Sequence, residues 1–225
     1  MNGFLGAVVL IRVLVVDDHD LVRMGIVSLL SASDRIEVVA EANSGESAIE
    51  CAKLHEPDVI LMDIRMPGMG GLEATHKLLR LNAELRIIAV TACSEDPYAN
   101  RLLQAGAAGY MTKGTTAAEM VRAILKVKSG QRYISSDIAQ RMALKPFAGT
   151  AVGCPFDLLS DREMQVSMLI VNCEKVQNIS DQLFLSPKTV NTYRYRIFEK
   201  LAISSDVELT RLAIRHGLID SESIA

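Results

Sequence analysis

Asp58-Val59-Ile60-Leu61-Met62-Asp63 decides the fold. Its four consecutive apolar residues stand between two turn signals, Glu56-Pro57 before and Met66-Pro67-Gly68 after. An apolar run of this length, with no polar alternation, reads as a strand covered on both faces, as in a parallel sheet. Asp63 then sits where the strand emerges. In an open α/β sheet, ligands bind in the crevice beyond the carboxyl ends of the strands, because the loops diverge there and helix N-termini point inward. An acid at that position needs a reason other than packing.

Outward from this strand the same rhythm repeats. Ile11 to Val16 is an apolar, β-branched run ending in Asp17-Asp18, and Val22, Ile26, Leu29 and Leu30 follow at helical spacing. Ile36 to Ala40 reads as strand, Ser44 to Leu54 as helix, and, past the central strand, Leu72 to Leu81 as helix. Arg86 to Val90 reads as a strand ending at Thr91, Pro97 to Ala105 as helix, Ala108 to Met111 as a strand ending near Lys113, and Ala117 to Val127 as helix. Strands and helices alternating through short loops predict an α/β fold over residues 11–129, a doubly wound sheet of five parallel strands.

Residues 130–156 break the rhythm and read as a linker. Ile134 to Leu144 is a possible helix within it, followed by the turn-rich Lys145-Pro146 and Gly149 to Pro155. Over residues 157–220 the pattern is helical only: Asp161 to Val171, Val176 to Leu183, Pro187 to Leu201 and Asp206 to Arg215, a small all-α domain.

Composition narrows the class. A chain of 225 residues with 49% apolar content suffices for one or two ordinary domains. The apolar run Phe4 to Ile11 stops at Arg12, well short of the roughly 20 residues a membrane span needs. It also lacks the flanks of a signal peptide, so no membrane and a cytoplasmic location are expected. Cys51, Cys93, Cys154 and Cys173 are too scattered for a zinc site or a disulfide framework. A formal net charge of -3 excludes a globally basic nucleic-acid coat, so any DNA binding requires a local patch.

Two such local features stand out. Asp17, Asp18 and Asp63 fall at the ends of the first and third strands, Thr91 at the end of the fourth and Lys113 just past the fifth. Each alone is an ordinary cap, turn or surface residue; together, in strands otherwise filled with Val, Ile and Leu, packing does not account for them. Carboxylates in this number suit Mg2+, which takes oxygen ligands and neutralises an incoming phosphoryl group. A carboxylate can then act as nucleophile, with Lys113 and the Thr91 hydroxyl facing the phosphoryl oxygens.

The second feature is a helix–turn–helix, Val176 to Leu183 and Pro187 to Leu201. Ser186 is suited to the N-cap and Pro187 to the first helical position. Lys188, Arg194, Arg196 and Lys200 lie along the longer helix against the single acid Glu199. Val190, Ile197 and Leu201 form its buried stripe, which leaves Asn191, Thr192 and Tyr195 to point elsewhere. A basic helix of this kind fits a major groove, where Asn pairs with adenine and a Thr methyl meets a thymine methyl. A solvated basic face is the alternative from charge alone.

Val15-Val16-Asp17-Asp18-His19, Met62-Asp63-Ile64-Arg65-Met66-Pro67-Gly68-Met69-Gly70-Gly71, Thr91-Ala92 and Gly109-Tyr110-Met111-Thr112-Lys113 resemble a response-regulator receiver domain of the flavodoxin-like fold, over about Arg12 to Lys128. The resemblance implies Asp63 as phospho-acceptor, Mg2+ held by Asp17, Asp18, Asp63 and the backbone of Arg65, and Thr91 and Lys113 on the phosphoryl group. Tyr110 matches the aromatic position that changes rotamer on activation; on the residues alone it is equally a half-buried tyrosine of a short strand. Leu159-Ser160-Asp161-Arg162-Glu163, Leu185-Ser186-Pro187-Lys188-Thr189-Val190 and Ile214 to Ile219 resemble the NarL/FixJ, LuxR-type helix-turn-helix. In that family the positions of Asn191, Thr192 and Tyr195 face bases, and the helix matching Asp206 to Arg215 makes the dimer contact. Asn191-Thr192-Tyr193-Arg194-Tyr195-Arg196 departs from the commoner Lys-x-His pattern and is similar to the GacA/UvrY branch of global regulators.

The implied protein is a DNA-binding response regulator, not an enzyme. It takes a phosphoryl group from a sensor histidine kinase and binds double-stranded promoter DNA as a homodimer. A Mg2+-dependent phosphohydrolase using Asp63 as nucleophile is the principal rival, disfavoured because short loops leave no cap over the site. An RNA-binding protein is a second, disfavoured by the missing aromatic stacking platform. With a linker between Asp63 and the basic helix, no direct contact between the halves is expected. Coupling then requires a two-state element, for which Thr91 and Tyr110 are the candidates.

Overall fold

The computed structural model describes residues 10–92, 98–144, 154–216 and 218–219. Its elements run β1 (Ile11–Val16), α1 (Asp20–Ser31), β2 (Ile36–Ala42), α2 (Gly45–His55), β3 (Val59–Asp63), α3 (Gly70–Leu81), β4 (Arg86–Thr91), α4 (Ala99–Ala105), β5 (Gly109–Thr112) and α5 (Ala117–Lys128). They continue with β6 (Tyr133–Ile134), α6 (Ser136–Leu144), a 3-10 turn (Pro155–Leu158), α7 (Asp161–Val171), α8 (Val176–Gln182), α9 (Pro187–Leu201) and α10 (Asp206–Arg215). Pro97, expected to open the fourth helix, lies outside the described residues, as do Cys93 and residues 145–153.

The strands pair in parallel in the order β2-β1-β3-β4-β5-β6. The sheet therefore has six strands, not the expected five. Tyr133 and Ile134 pair with Gly109 and Tyr110, inside the stretch read as linker. A strand of two residues is too short to carry any period-2 signal.

Strand residues alternate between two cores. Val13, Val15, Val59, Leu61, Ile88 and Val90 pack with Ile26 and Leu30 of α1 and with Met120, Ala123 and Ile124 of α5. Leu14, Val16, Ile60, Met62 and Ile87 face α2 and α3. Both faces of β3 are thus covered, which is why its sequence shows no alternation.

A third apolar cluster spans the two halves of the molecule. It joins Ile64, Leu72, Tyr98, Leu102 and Tyr110 of the sheet domain to Phe156, Leu159, Met164 and Met168 of the helical one. Within the helical half, Ser186 caps α9 by accepting from the Thr189 N–H, Pro187 occupies the first turn, and Val190, Ile197 and Leu201 are buried as the spacing predicts.

Candidate functional site

The strand order 2-1-3 reverses direction of winding at β1, so the crevice opens beyond the carboxyl ends of β1 and β3. Val16 is in register with Met62. This places Asp17, just past β1, beside Asp63, the last residue of β3. Both carboxylates are almost completely buried, at 1% and 2% exposure. Lys113, just past β5, bridges them: its Nζ lies 2.7 Å from Asp17 Oδ2 and 2.9 Å from Asp63 Oδ2. The Arg65 N–H donates to Asp63 Oδ1 at 3.3 Å.

Burial pushes the Asp63 carboxyl up from 3.8 to about 6; the neighbouring Asp17 charge adds to this, and Lys113 and the Arg65 N–H oppose it. Burial also works against the Lys113 ammonium, yet its bonds to Asp17 and Asp63 raise its pKa and keep it cationic. One lysine facing two buried acids, with Asp18 alongside, leaves uncompensated negative charge. Ligand atoms of Asp17, Asp18, His19 and Asp63 lie within 4.8 Å of one another. This oxygen-rich set suits a hard divalent cation such as Mg2+. Thr91 ends β4, buried, and is in register with Thr112 of β5. Tyr110 is fully buried in the apolar cluster shared by the two halves, so the alternative of a half-buried ring does not hold.

Gly71 fixes Asp63 from below. A Cβ there would stand 2.0 Å from the Asp63 carbonyl oxygen, so only glycine lets the N-terminus of α3 rest on that backbone. The preceding Gly70 has a φ of 70°, in the region that favours glycine.

Lys188, Thr192, Tyr195 and Arg196 of α9 are exposed and Asn191 and Arg194 partly so. Among the described residues Lys188 and Arg196 have no ion-pair partner. Arg194 is different: its guanidinium makes two hydrogen bonds to Asp206 of α10, at 2.8 and 2.6 Å, and lies over the Phe198 ring. Lys200 pairs with Glu163 of α7 at 2.6 Å, and Glu163 also completes the capping box of Ser160. Both cations brace the helical domain in this arrangement. Thr192 donates its hydroxyl to the Lys188 carbonyl.

The two halves are in direct contact, contrary to the expectation from the linker. Gly68, in the loop leaving Asp63, donates its N–H to the Gln182 carbonyl at 2.9 Å. The Gly68 carbonyl accepts from Arg162 Nη1 and from Gln165 Nε2. Phe184, in the α8–α9 turn with φ at 52°, lies against Gly68. Further along, Asp161 at the start of α7 faces His76 of α3 and Arg101 of α4, and Arg101 also donates to the Phe156 carbonyl. A cavity of about 380 Å³, lined by Asp18, Arg65, Met66, Gln165 and Met168 among others, remains between the halves. The sequence carried no sign of this contact, because Gly68, Arg162 and Phe184 each read as an ordinary turn or helix residue.

Among the described residues no helix is long and apolar enough to cross a membrane. Residues 13–125 match the response regulator receiver domain family, and residues 157–213 match the family of bacterial regulatory proteins, luxR family. Over 214 residues the chain is 62% identical to the response regulator GacA of Pseudomonas viridiflava, covering 95% of this chain and 100% of that one. It is 52% identical over 216 residues to the response regulator UvrY of Escherichia coli strain K12, covering 96% and 99%. The crystal structure of a two-component response regulator of the LuxR family from Aurantimonas sp. SI85-9A1 is 37% identical, with a TM-score of 0.58 over 60% of this chain and 97% of that one.

Proposed function

From the premise that the chain belongs to the two-component response regulators, joining a receiver to a LuxR-type DNA-binding domain as GacA and UvrY do, we propose that Asp63 accepts a phosphoryl group from a sensor histidine kinase in the cytoplasm. That group then governs promoter binding through α9. The observation that carries this reading is the buried Asp63 carboxylate, bridged by Lys113 to the buried Asp17 at the switch point of the sheet.

Asp17, Asp18 and Asp63, with the backbone of Arg65, would hold Mg2+, which when bound neutralises charge on the incoming phosphoryl group. The protein's own groups do the rest. Asp63 presents an oxygen from a buried position, and Lys113 stays protonated and close enough to follow the phosphoryl oxygens. The Thr91 hydroxyl, at the end of the neighbouring strand, donates to the same oxygens. Tyr110 sits in the apolar cluster that reaches the helical domain, so a change in its surroundings is felt there. Tight burial makes Tyr110 a packing residue of the interface as much as a rotamer switch.

Incubating the full chain with acetyl phosphate and Mg2+ should add one phosphoryl group by intact mass, in a hydroxylamine-labile linkage, and a chelator should suppress it. Repeated turnover of small phosphoesters instead would support the phosphohydrolase.

On DNA, α9 enters the major groove with Asn191, Thr192 and Tyr195 toward the bases and Lys188 and Arg196 toward phosphates. Arg194 and Lys200, braced against Asp206 and Glu163, reach phosphates only by sharing or leaving those carboxylates. Arg196→Ala should therefore weaken target and random duplexes alike and lower the salt slope by about one. Asn191→Ala should cost roughly 1 to 3 kcal/mol on the target alone. Fluorescence anisotropy over a salt series separates the two; equal losses on both duplexes for Asn191→Ala would put that residue on the backbone. Binding as a homodimer through α10 completes the proposal, with Val207 standing 68% exposed on that helix.

A further inference from the structure

The acidic pocket contains one side chain that the receiver reading does not use. His19 is the N-cap residue of α1, yet its side chain makes no capping bond. Its Nδ1 instead lies 3.0 Å from Asp18 Oδ1 and 3.5 Å from Asp17 Oδ1, and the His19 backbone N–H donates to Asp17 Oδ1 at 2.9 Å. Donors bound to one first-row ion at about 2.1 Å stand roughly 3 to 3.5 Å apart. The imidazole thus keeps the spacing of a fellow ligand to the two carboxylates. It is also 65% exposed, free to turn toward an ion without breaking core packing.

We infer that His19 is a nitrogen donor in this pocket, so that it raises the site's affinity for imidazole-favouring divalent ions such as Zn2+ and Co2+ while leaving that for Mg2+ nearly unchanged. Carboxylate and carbonyl oxygens alone suit Mg2+ and Mn2+, whereas an imidazole adds affinity along the series toward Co2+, Ni2+ and Zn2+ and adds little for Mg2+. His19 would then set which ion the phosphorylation pocket holds when several are present. This rests on the reading of Asp17, Asp18 and Asp63 as cation ligands.

The test is calorimetric titration of the full chain with Co2+ and separately with Mg2+, together with the visible absorption of bound Co2+, for the unaltered protein and His19→Ala. Displacement of Co2+ by Mg2+ confirms that both occupy one pocket. His19→Ala is expected to weaken Co2+ by about tenfold or more while changing Mg2+ by less than about twofold. The Co2+ spectrum should move to that of an all-oxygen site. Unchanged Mg2+ affinity also shows that the variant's pocket is intact. Co2+ affinity and spectrum unaffected by His19→Ala, or equal losses for both ions, would overturn the inference and leave His19 as a hydrogen-bond partner of Asp18. Failure of the unaltered chain to bind either ion would instead remove the cation pocket itself.

Discussion

Asp63→Asn is expected to abolish phosphoryl uptake and, at the same time, to make the metal-free protein more stable at neutral pH. The first effect follows from loss of the nucleophile. The second follows from the burial that lifts the Asp63 carboxyl from 3.8 to about 6. A carboxyl raised on folding favours the folded state below its ordinary value, where it is protonated in both states. That contribution is lost as pH rises through about 6. At about 1.4 kcal/mol per unit, the ionised Asp63 costs on the order of 2 to 3 kcal/mol near neutrality. Asparagine keeps the shape and its one carbonyl oxygen can still accept from Lys113, giving up the longer bond from the Arg65 N–H, but it carries no charge to desolvate. Denaturant unfolding in the presence of a chelator should show the variant ahead by that amount near neutral pH, with the gap closing toward pH 4. Saturating Mg2+ should close it as well, by stabilising only the unaltered protein. A variant less stable than the parent at neutral pH would mean that Asp63 is held by its partners more than it is penalised by burial.

Arg162→Ala should raise the DNA affinity of the unphosphorylated protein. Arg162 Nη1 donates to the Gly68 carbonyl of the receiver and to Gln165 at 2.6 Å, while Nη2 holds the Leu183 carbonyl at 2.6 Å. It therefore fastens the α8–α9 turn to the loop that leaves Asp63. Tyr193 and Phe184 share a cleft with Glu46, Glu73, His76, Lys77 and Arg80 of the receiver, so a duplex lying along α9 would meet this side of the receiver unless the halves part. A hydrogen bond from a charged donor is worth about 1.5 to 3 kcal/mol. Its loss should shift the closed–open balance enough to tighten binding by roughly tenfold or more, if closure limits affinity. Because Arg162 also supports the turn within its own domain, Gly68→Ala offers the same test from the receiver side. A methyl there would meet the Phe184 ring at 3.1 Å, on a backbone with φ at 69°. Both variants should narrow the gain that phosphodonor brings. If neither binds the target duplex more tightly than the unaltered chain, the closed arrangement does not restrain DNA binding.

The elements most legible in the sequence are those whose burial is uniform or periodic. β3 could be read from four apolar residues because both its faces are covered. The start of α9 could be read from Ser186-Pro187, since capping is a local interaction. Asp17, Asp63, Thr91 and Lys113 could be grouped because a parallel sheet delivers strand ends to one crevice, and the structure brings these positions to the same end. β6 escaped because two residues carry no period. The bracing of Arg194 by Asp206 and of Lys200 by Glu163 escaped because ion pairs between helices leave no spacing rule in a sequence. The interface at Gly68 escaped for the same reason: contact between separately folded faces depends on shape, and the expected separation by a linker counted chain length where distance in space mattered.

The apolar cluster that runs from Tyr110 through Leu102 to Phe156 and Met164 has a consequence for how the molecule comes apart. Phe156 is 1% exposed, so the helical domain draws part of its core from the end of the connecting segment. Side chains of one continuous core melt together, and the resting chain should lose both halves in a single cooperative transition. Parting the halves would expose Tyr98 and Leu102 on one side and Leu159 and Met168 on the other, turning one folding unit into two of lower individual stability. A signal that opens the molecule must therefore supply new apolar cover as well as a new charge.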